Sequence, residues 1–146
     1  MQEKLDKTYI SAWAKTLTST QRTLAEIDRE LKEKNLISLT WYDVLYAVYA
    51  SPEKRLKFTD IANTVILSKS ALSRSVDNIA KAGLLKKIPC DQDGRACWLE
   101  LTAEGESALR ACWEVYEAGI RKYFLGDMSI AEANQLVELF KRCSPK

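Results

Sequence analysis

The sequence predicts a mainly α-helical fold that carries a small β-hairpin wing. Apolar residues recur at steps of three or four near both ends of the chain, which is the spacing of amphipathic helices. Two shorter helical segments in the middle are joined by a three-residue break, as in a helix-turn-helix. Two alternating segments follow around Asp93-Gly94, a strong hairpin signal because glycine accepts a positive φ. Together these observations predict a winged helix-turn-helix between long N- and C-terminal helices.

The first half of the chain contains three predicted helices. A helix over about residues 5–34 is indicated by the stripe Leu5, Tyr9, Trp13, Leu17, Thr20, Leu24, Ile27 and Leu31. A second helix is predicted from Thr40, with Asp43 completing a capping-box-like start and Leu45, Val48 and Tyr49 facing inward. The segment PEKRLK is interpreted as a basic loop, and Thr59 as the cap of a third helix, FTDIANTV.

The middle of the chain contains the fourth helix and the two strands. Ser68 is a good N-cap for SKSALSRSVDNIAKAGLL, whose Leu72, Val76 and Ile79 form an apolar face, and Gly83 is well placed to end the helix. The strands are LLKKIPC and ACWLELT.

Two amphipathic helices close the chain. The first runs from about residue 102 to residue 124, and the second begins with the capping box Ser129-Ile130-Ala131-Glu132.

Composition excludes several classes of protein. A chain of 146 residues that is 47% hydrophobic and 29% charged fits one globular domain or two small lobes that share a core. No apolar run approaches the roughly 18 residues of a membrane span, and the first residues, MQEKLDKTYIS, lack the layout of a signal peptide. We therefore expect a cytoplasmic protein with no membrane partner.

Enzymatic function is not expected either. The chain has no histidine, which removes the usual general base, the common nucleophile pairs and the commonest metal ligand. It also lacks a glycine-rich phosphate loop, and its four cysteines have no metal-binding spacing. We predict no catalytic residues, no metal and no cofactor.

Positive charge is concentrated in the middle of the chain. Residues 52–95 carry nine Lys/Arg and five Asp/Glu, a net charge of +4, whereas the remaining residues carry thirteen and fifteen, a net charge of −2. A basic centre on a nearly neutral scaffold is typical of a protein that binds a polyanion.

The sequence resembles the MarR family of bacterial transcription regulators over nearly its whole length. The most specific segments are FTDIAN, LSKSALSRSVDNIAKAGLL and DGRACWLELTAEG. The family's wing pattern is met in full by Asp93, Arg95, Leu101, Thr102 and Gly105. Three positions depart from the family pattern. Ile66 stands where the family often has a glycine, Gly94 where it often has a second wing arginine, and Lys87 where it usually has an arginine.

The resemblance implies that the wing tip lies over the DNA minor groove with Arg95 entering it. A narrow minor groove concentrates negative potential, and arginine loses less hydration than lysine on entering it. Asp93 is expected to hold the guanidinium by a bidentate contact, and Gly94 to let the backbone turn sharply. The alternative interpretation is an ordinary surface hairpin with a weak exposed ion pair.

The fourth helix is expected to lie in the major groove. Hydroxyl groups and amides near its N-terminus can bind phosphates, and arginine can contact guanine in a bidentate manner. The predicted DNA-binding residues on this helix are Ser68, Lys69, Ser70, Ser73, Arg74 and Asn78. Two alternatives remain: a solvated helix face, and a winged-helix protein-interaction module that does not bind DNA.

Two lobes on one DNA site imply a homodimer. Two modules reach successive major grooves about 34 Å apart, which doubles the contacts of a single one. We predict that residues 1–38 and 103–146 form a helical dimerisation region, with apolar stripes that include Trp13, Leu24, Trp113, Leu136 and Phe140. Residues 39–102 are predicted to form the DNA-binding lobe. The alternative is that the stripes form a monomer core.

The family resemblance implies a repressor that is relieved by a small molecule or another signal. Residues that are candidates for binding a small aromatic or anionic effector are Tyr9, Trp13, Arg22, Trp41, Tyr46 and Trp113. These aromatic residues alternatively belong to the core. A redox-responsive regulator is a further alternative, because a two-residue turn at Asp93-Gly94 would set Cys90 directly opposite Cys97, near disulfide distance.

Overall fold

The computed structural model describes residues 3–89 and 96–143 and confirms the predicted fold class. The elements, in chain order, are helix α1 (Lys7–Glu33), helix α2 (Leu39–Tyr49), strand β1 (Arg55–Lys57), helix α3 (Phe58–Thr64), helix α4 (Lys69–Lys81), strand β2 (Leu85–Pro89), strand β3 (Ala96–Leu101), helix α5 (Ala103–Gly119) and helix α6 (Ile130–Cys143). Helix α5 continues as a π-helical segment, Ile120–Leu125. Within the described ranges, no helix combines the length and the apolar character that crossing a membrane requires.

Side-chain caps fix the starts of several helices. The Ser68 hydroxyl accepts a hydrogen bond from the Ala71 amide at the start of α4, which confirms the predicted cap. The start of α2 is different from the prediction, because Ser38 and not Thr40 is its cap. Thr59 is not a cap either, since α3 begins one residue earlier and has no side-chain cap. The capping box of α6 is confirmed by reciprocal Ser129–Glu132 hydrogen bonds.

A third strand replaces part of the predicted basic loop. The segment PEKRLK forms a 3₁₀ turn followed by β1, and β1 pairs antiparallel with β3, which becomes the central strand of the order β1-β3-β2. Leu56 lies opposite Leu99, which is fully buried. The sheet therefore contributes to the core of the lobe as well as to the wing.

The register of the wing differs from the predicted one. Ile88 lies opposite Trp98, but an irregularity follows and Pro89 lies opposite Ala96. A proline has no amide hydrogen to donate to the neighbouring strand, so it is tolerated where the regular pairing of two strands is interrupted. The prediction set residue 91 opposite Ala96, but the observed partner of Ala96 is Pro89. The predicted pairing of Cys90 with Cys97 lies outside the described residues. Residues 90–95, which include Asp93 and Arg95, lie outside the described residues.

The core of the lobe surrounds α2. Val44, Leu45 and Val48 are fully buried, and the inner faces of the other elements cover them, with Ile61, Leu72, Val76, Ile79, Leu85 and Leu99. The predicted inward position of Tyr49 is wrong, because its side chain is 40% exposed.

Helix α1 joins this lobe only through its C-terminal half. A Cβ atom at Gly119 of α5 would lie 2.4 Å from Cγ1 of Ile27, so the two helices approach more closely than any larger residue would allow. The Thr23 hydroxyl donates to the Tyr123 carbonyl at 3.2 Å, and the Tyr123 hydroxyl donates to Glu30 at 2.5 Å. The buried residues of α1 are Thr23, Ile27 and Leu31. The N-terminal half of the helix has its apolar side chains exposed.

Candidate nucleic-acid interface

The outer face of α4, with its N-cap, carries six of the eight side chains that the sequence indicates for DNA binding, and the other two, Asp93 and Arg95, lie outside the described residues. The six are exposed, whereas Leu72, Val76 and Ile79 on the opposite face are at most 2% exposed. The helical spacing explains this division, because apolar residues three or four positions apart share one face. The structure therefore brings Ser68, Lys69, Ser70, Ser73, Arg74 and Asn78 onto one surface.

No acidic residue in the described ranges neutralises the positive charges of this face. Lys69 and Arg74 form no ion pair with any residue in the described ranges, whereas Arg29 on α1 is held by two glutamates. The Ser68 hydroxyl is partly committed, since it caps α4 and lies 3.4 Å from the Ser70 hydroxyl. The face thus presents two available cations beside the amino end of a helix, which itself favours anions.

The turn between α3 and α4 exposes an apolar side chain at this end of the helix. The Leu67 amide donates to the Val65 carbonyl at 3.0 Å, which closes a γ-turn with Ile66 at its apex. Ile66 is 100% exposed, although its two neighbours pack against the core. The sequence marks Ile66 only as a departure from the family pattern and does not predict its exposure.

The stem of the wing is fixed against α4 and against β1. Lys87 on β2 forms an ion pair with Asp77 on α4. On the other side of β3, the Arg55 guanidinium lies 4.8 Å and the Lys57 ammonium 5.2 Å from the centre of the Trp98 ring, within the range of cation–π contacts. Strands β2 and β3 therefore leave the lobe in a direction set by α4 and β1.

Thr102 and Gly105 have structural roles at the base of the wing. The Thr102 hydroxyl donates to the Gly83 carbonyl at 2.7 Å and accepts from the Gly105 amide at 3.0 Å. A Cβ atom at position 105 would lie 2.1 Å from the Leu84 carbonyl oxygen. These two residues of the wing pattern thus hold the start of α5 against the end of α4, away from its outer face.

A separate cavity of about 550 Å³ lies between α2 and α5. Of the predicted effector-binding residues, Tyr46 and Trp113 line it, whereas Tyr9, Trp13, Arg22 and Trp41 do not. Tyr9 and Trp13 are on the N-terminal half of α1, whereas the residues of α1 that are buried against the rest of the chain are Thr23, Ile27 and Leu31. The cavity is also lined by Tyr42, Tyr49, Glu106, Arg110 and Tyr116.

The polar groups of this cavity are partly paired with each other. Glu106 accepts hydrogen bonds from Lys54 at 2.6 Å and from Arg110 at 2.8 Å, and these contacts lower its pKa, the Lys54 bond most. Burial raises the pKa of Tyr42 to about 12, so its hydroxyl stays protonated at neutral pH. Arg110 lines this cavity, whereas the candidate arginine named from the sequence, Arg22, does not.

The lobe is similar to known proteins. Residues 37–96 match the model of the MarR family. The MarR-family transcriptional regulator AbsC of Streptomyces coelicolor is 22% identical, with 97% of this chain and 95% of that chain covered and a TM-score of 0.84. Sco3205 of the same organism, solved in complex with DNA, is also 22% identical, with 98% and 89% covered and a TM-score of 0.86. At these identities the structural likeness establishes the fold.

A third similar structure is BpsR of Bordetella bronchiseptica, whose DNA binding is regulated by 6-hydroxynicotinic acid. It is 16% identical, with 92% of this chain and 99% of that chain covered and a TM-score of 0.80. AbsC and Sco3205 are both described as transcriptional regulators of the MarR family.

Proposed function

We propose that this chain is a sequence-specific regulator of transcription that binds double-stranded DNA as a homodimer, because residues 37–96 match the model of the MarR family. The observation that carries the proposal is the outer face of α4, where Lys69 and Arg74 are exposed and unpaired with any described residue. Sco3205, which has the same fold, was solved in complex with DNA.

In the proposed complex α4 lies in the major groove. Its amino end, with Ser68, Lys69 and Ser70, binds phosphates, and Arg74 one turn further contacts a guanine edge. Ser73 and Asn78 border the same groove. Arg95, oriented by Asp93, enters the adjacent minor groove from the wing tip, and this part of the proposal rests on the sequence pattern.

Titration of duplex DNA at several salt concentrations tests the proposal. Binding through phosphates releases counterions, so the logarithm of the association constant falls linearly with the logarithm of the salt concentration. With duplexes selected from a random pool, Lys69→Ala is expected to weaken binding to all of them alike and to reduce the slope by about 1 for each of the two subunits. Arg74→Ala is expected to cost about 1–3 kcal/mol per half-site and to relax the preference at one base pair in each half-site.

Arg29→Ala is the matched control, since it removes an exposed arginine that lies on α1 and is engaged by Glu26 and Glu33. It should leave DNA affinity unchanged. Binding that does not depend on salt, or a loss that is equal for Arg29→Ala and Arg74→Ala, would contradict the assignment and favour a protein-interaction module.

The homodimer is supported by apolar surface at both ends of the chain. Trp13 on α1 is 64% exposed and Ile130 on α6 is 81% exposed, and α6 buries none of its residues within one chain. We assign residues 1–38 and 103–146 to the dimerisation region and residues 39–102 to the DNA-binding lobe. Sedimentation at micromolar concentration is expected to give twice the 16.6 kDa mass of the chain. A species of 16.6 kDa alone would contradict the dimer.

Regulation by a small aromatic anion is supported by the cavity between α2 and α5. Its aromatic walls suit a planar ring, and Arg110 supplies a cation that an effector would share with Glu106. We propose that the free chain is a repressor in the cytoplasm and that the effector changes the spacing of the two α4 helices. A ligand alters DNA affinity only through a preference for one spacing.

Calorimetric titration with benzoate as the probe tests this regulatory site. Arg110→Met is expected to weaken benzoate binding, whereas Arg121→Ala, which removes an exposed arginine outside the cavity, is expected to leave it unchanged. Equal binding by both variants would remove Arg110 from the site.

A further inference from the structure

Ile66 is the only large apolar side chain in the described ranges that is fully exposed. The next most exposed is Ile130 at 81%, on the apolar surface assigned to the dimer. Burying an isoleucine is worth about 1.5–3 kcal/mol, so its complete exposure contributes nothing to the stability of the lobe. The side chain is therefore available for a contact outside the fold.

The position of Ile66 is fixed by the surrounding turn. The γ-turn directs its side chain outward, while Val65 and Leu67 on either side pack against the core. Ile66 precedes Ser68, the N-cap of α4, by two residues. The side chain is thus held beside the amino end of the helix that the proposed function places in the major groove.

The surroundings of Ile66 favour one kind of occupant. Towards α4, Ile66 is next to Ser68 and Lys69, which are exposed and polar, and on its other side it borders a cavity of about 540 Å³ that Tyr46 and Leu56 also line. Towards α4 the apolar surface is therefore a single side chain, far less than the area of a protein interface (~800 Å² on each partner). The one apolar group that base pairs present in the major groove is the C5-methyl group of thymine.

We propose that Ile66 is a specificity-determining residue that contacts the C5-methyl group of a thymine in each half-site. The inference rests on the proposed function, since it requires α4 to lie in the major groove. Lys69 and the hydroxyl groups of Ser68 and Ser70 anchor the phosphates without distinguishing bases. Ile66 then adds a preference for thymine at the base pair next to the amino end of α4.

Replacement of thymine by deoxyuridine tests the contact, because it removes only the methyl group. Each thymine of a selected duplex is replaced in turn, symmetrically in both half-sites, and affinities are measured by fluorescence anisotropy at fixed salt. At one position the wild-type protein is expected to lose about fourfold per half-site, the equivalent of ~0.8 kcal/mol for one methyl-sized group. Ile66→Ala is expected to bind the thymine and deoxyuridine duplexes equally at that position.

The controls separate this contact from general effects. Ile66→Ala should melt at the wild-type temperature, because the side chain is not buried. Thr64→Ser, which removes a methyl group from an exposed residue near the same turn, should keep the wild-type response to deoxyuridine.

The possible failures are distinguishable. If the wild type binds DNA with steep salt dependence but Ile66→Ala responds to every deoxyuridine as the wild type does, the thymine contact is refuted and the proposed function stands. If the wild type binds no duplex in a salt-dependent manner, the proposed function fails and the thymine contact fails with it.

Discussion

Gly105→Ala tests the close contact between Gly105 of α5 and the Leu84 carbonyl group at the base of the wing. Helix propensity alone predicts that this change stabilises α5 by about 1 kcal/mol. The new Cβ atom, however, would lie 2.1 Å from the Leu84 carbonyl oxygen and 2.8 Å from Cδ1 of Leu101, where real Cβ contacts stay beyond 3.0 Å. The backbone must therefore move by about 0.9 Å to relieve the first contact.

The expected net effect is a loss of stability. Forcing extra volume into a packed site costs about 1–3 kcal/mol, and we expect the upper end because a backbone carbonyl cannot rotate away. After subtraction of the gain in propensity, Gly105→Ala should lower the free energy of unfolding by about 2 kcal/mol. The double variant Gly105→Ala with Leu101→Ala removes the contact with the Leu101 side chain. It should not regain stability, since the contact with the Leu84 carbonyl oxygen remains.

Urea denaturation followed by circular dichroism provides the measurement. The protein concentration must be kept the same for all variants, because the stability of the proposed dimer would depend on it. Ser107→Ala, at an exposed position of α5, calibrates the effect of propensity and should raise stability by a few tenths of a kcal/mol, roughly. A Gly105→Ala protein that is as stable as the wild type, or more so, would refute the reasoning.

Three further predictions concern single contacts. Thr102→Val should lower the free energy of unfolding in urea by about 1–2 kcal/mol by removing the helix cap, whereas Thr102→Ser should retain most of the stability. Tyr123→Phe should cost about 1 kcal/mol at pH 7 by removing the hydrogen bond that lowers the pKa of Glu30. A carboxyl pKa that is lowered in the folded protein stabilises the fold above the pKa of the unfolded chain, which is 4.5 for Glu30, and this stabilisation is lost as the pH falls below it. The cost of Tyr123→Phe should therefore disappear at low pH, and a cost that does not change with pH would contradict the prediction. Burial raises the pKa of the Cys112 thiol to about 12, so iodoacetamide at pH 8 should alkylate exposed Cys143 but spare Cys112 in the native protein, as mass spectrometry can check.

The long amphipathic helices were predictable from the sequence because the apolar pattern of each one repeats over many residues. The stripe of α1 and the apolar face of α4 repeat over several turns, and their positions agree with the structure. Strand β1 was missed because it spans three residues and is defined by its pairing with β3, which is distant in sequence. The cap of α2 was misplaced because Ser38 and Thr40 are both good capping residues, and local sequence does not decide between them.

The candidate interface was more predictable than the cavity. The outer face of α4 follows from helical periodicity, since the same pattern that buries Leu72 exposes Arg74. The cavity depends on how α2 packs against α5, so Arg110 was missed, and Trp13 was grouped with Trp113 only because both are aromatic. The exposure of Ile66 depends on a γ-turn that apolar residues do not signal.

Helix α1 has a mechanical consequence for the proposed dimer. Its 27 residues form a continuous rod about 40 Å long, anchored to the lobe near Gly119 at one end and carrying exposed Trp13 towards the other. Any rotation of one end is transmitted to the other, because no break in the helix absorbs it. One residue inserted near Leu17 would turn the two ends by about 100° relative to each other, which would misalign the two lobes on DNA while leaving each of them folded.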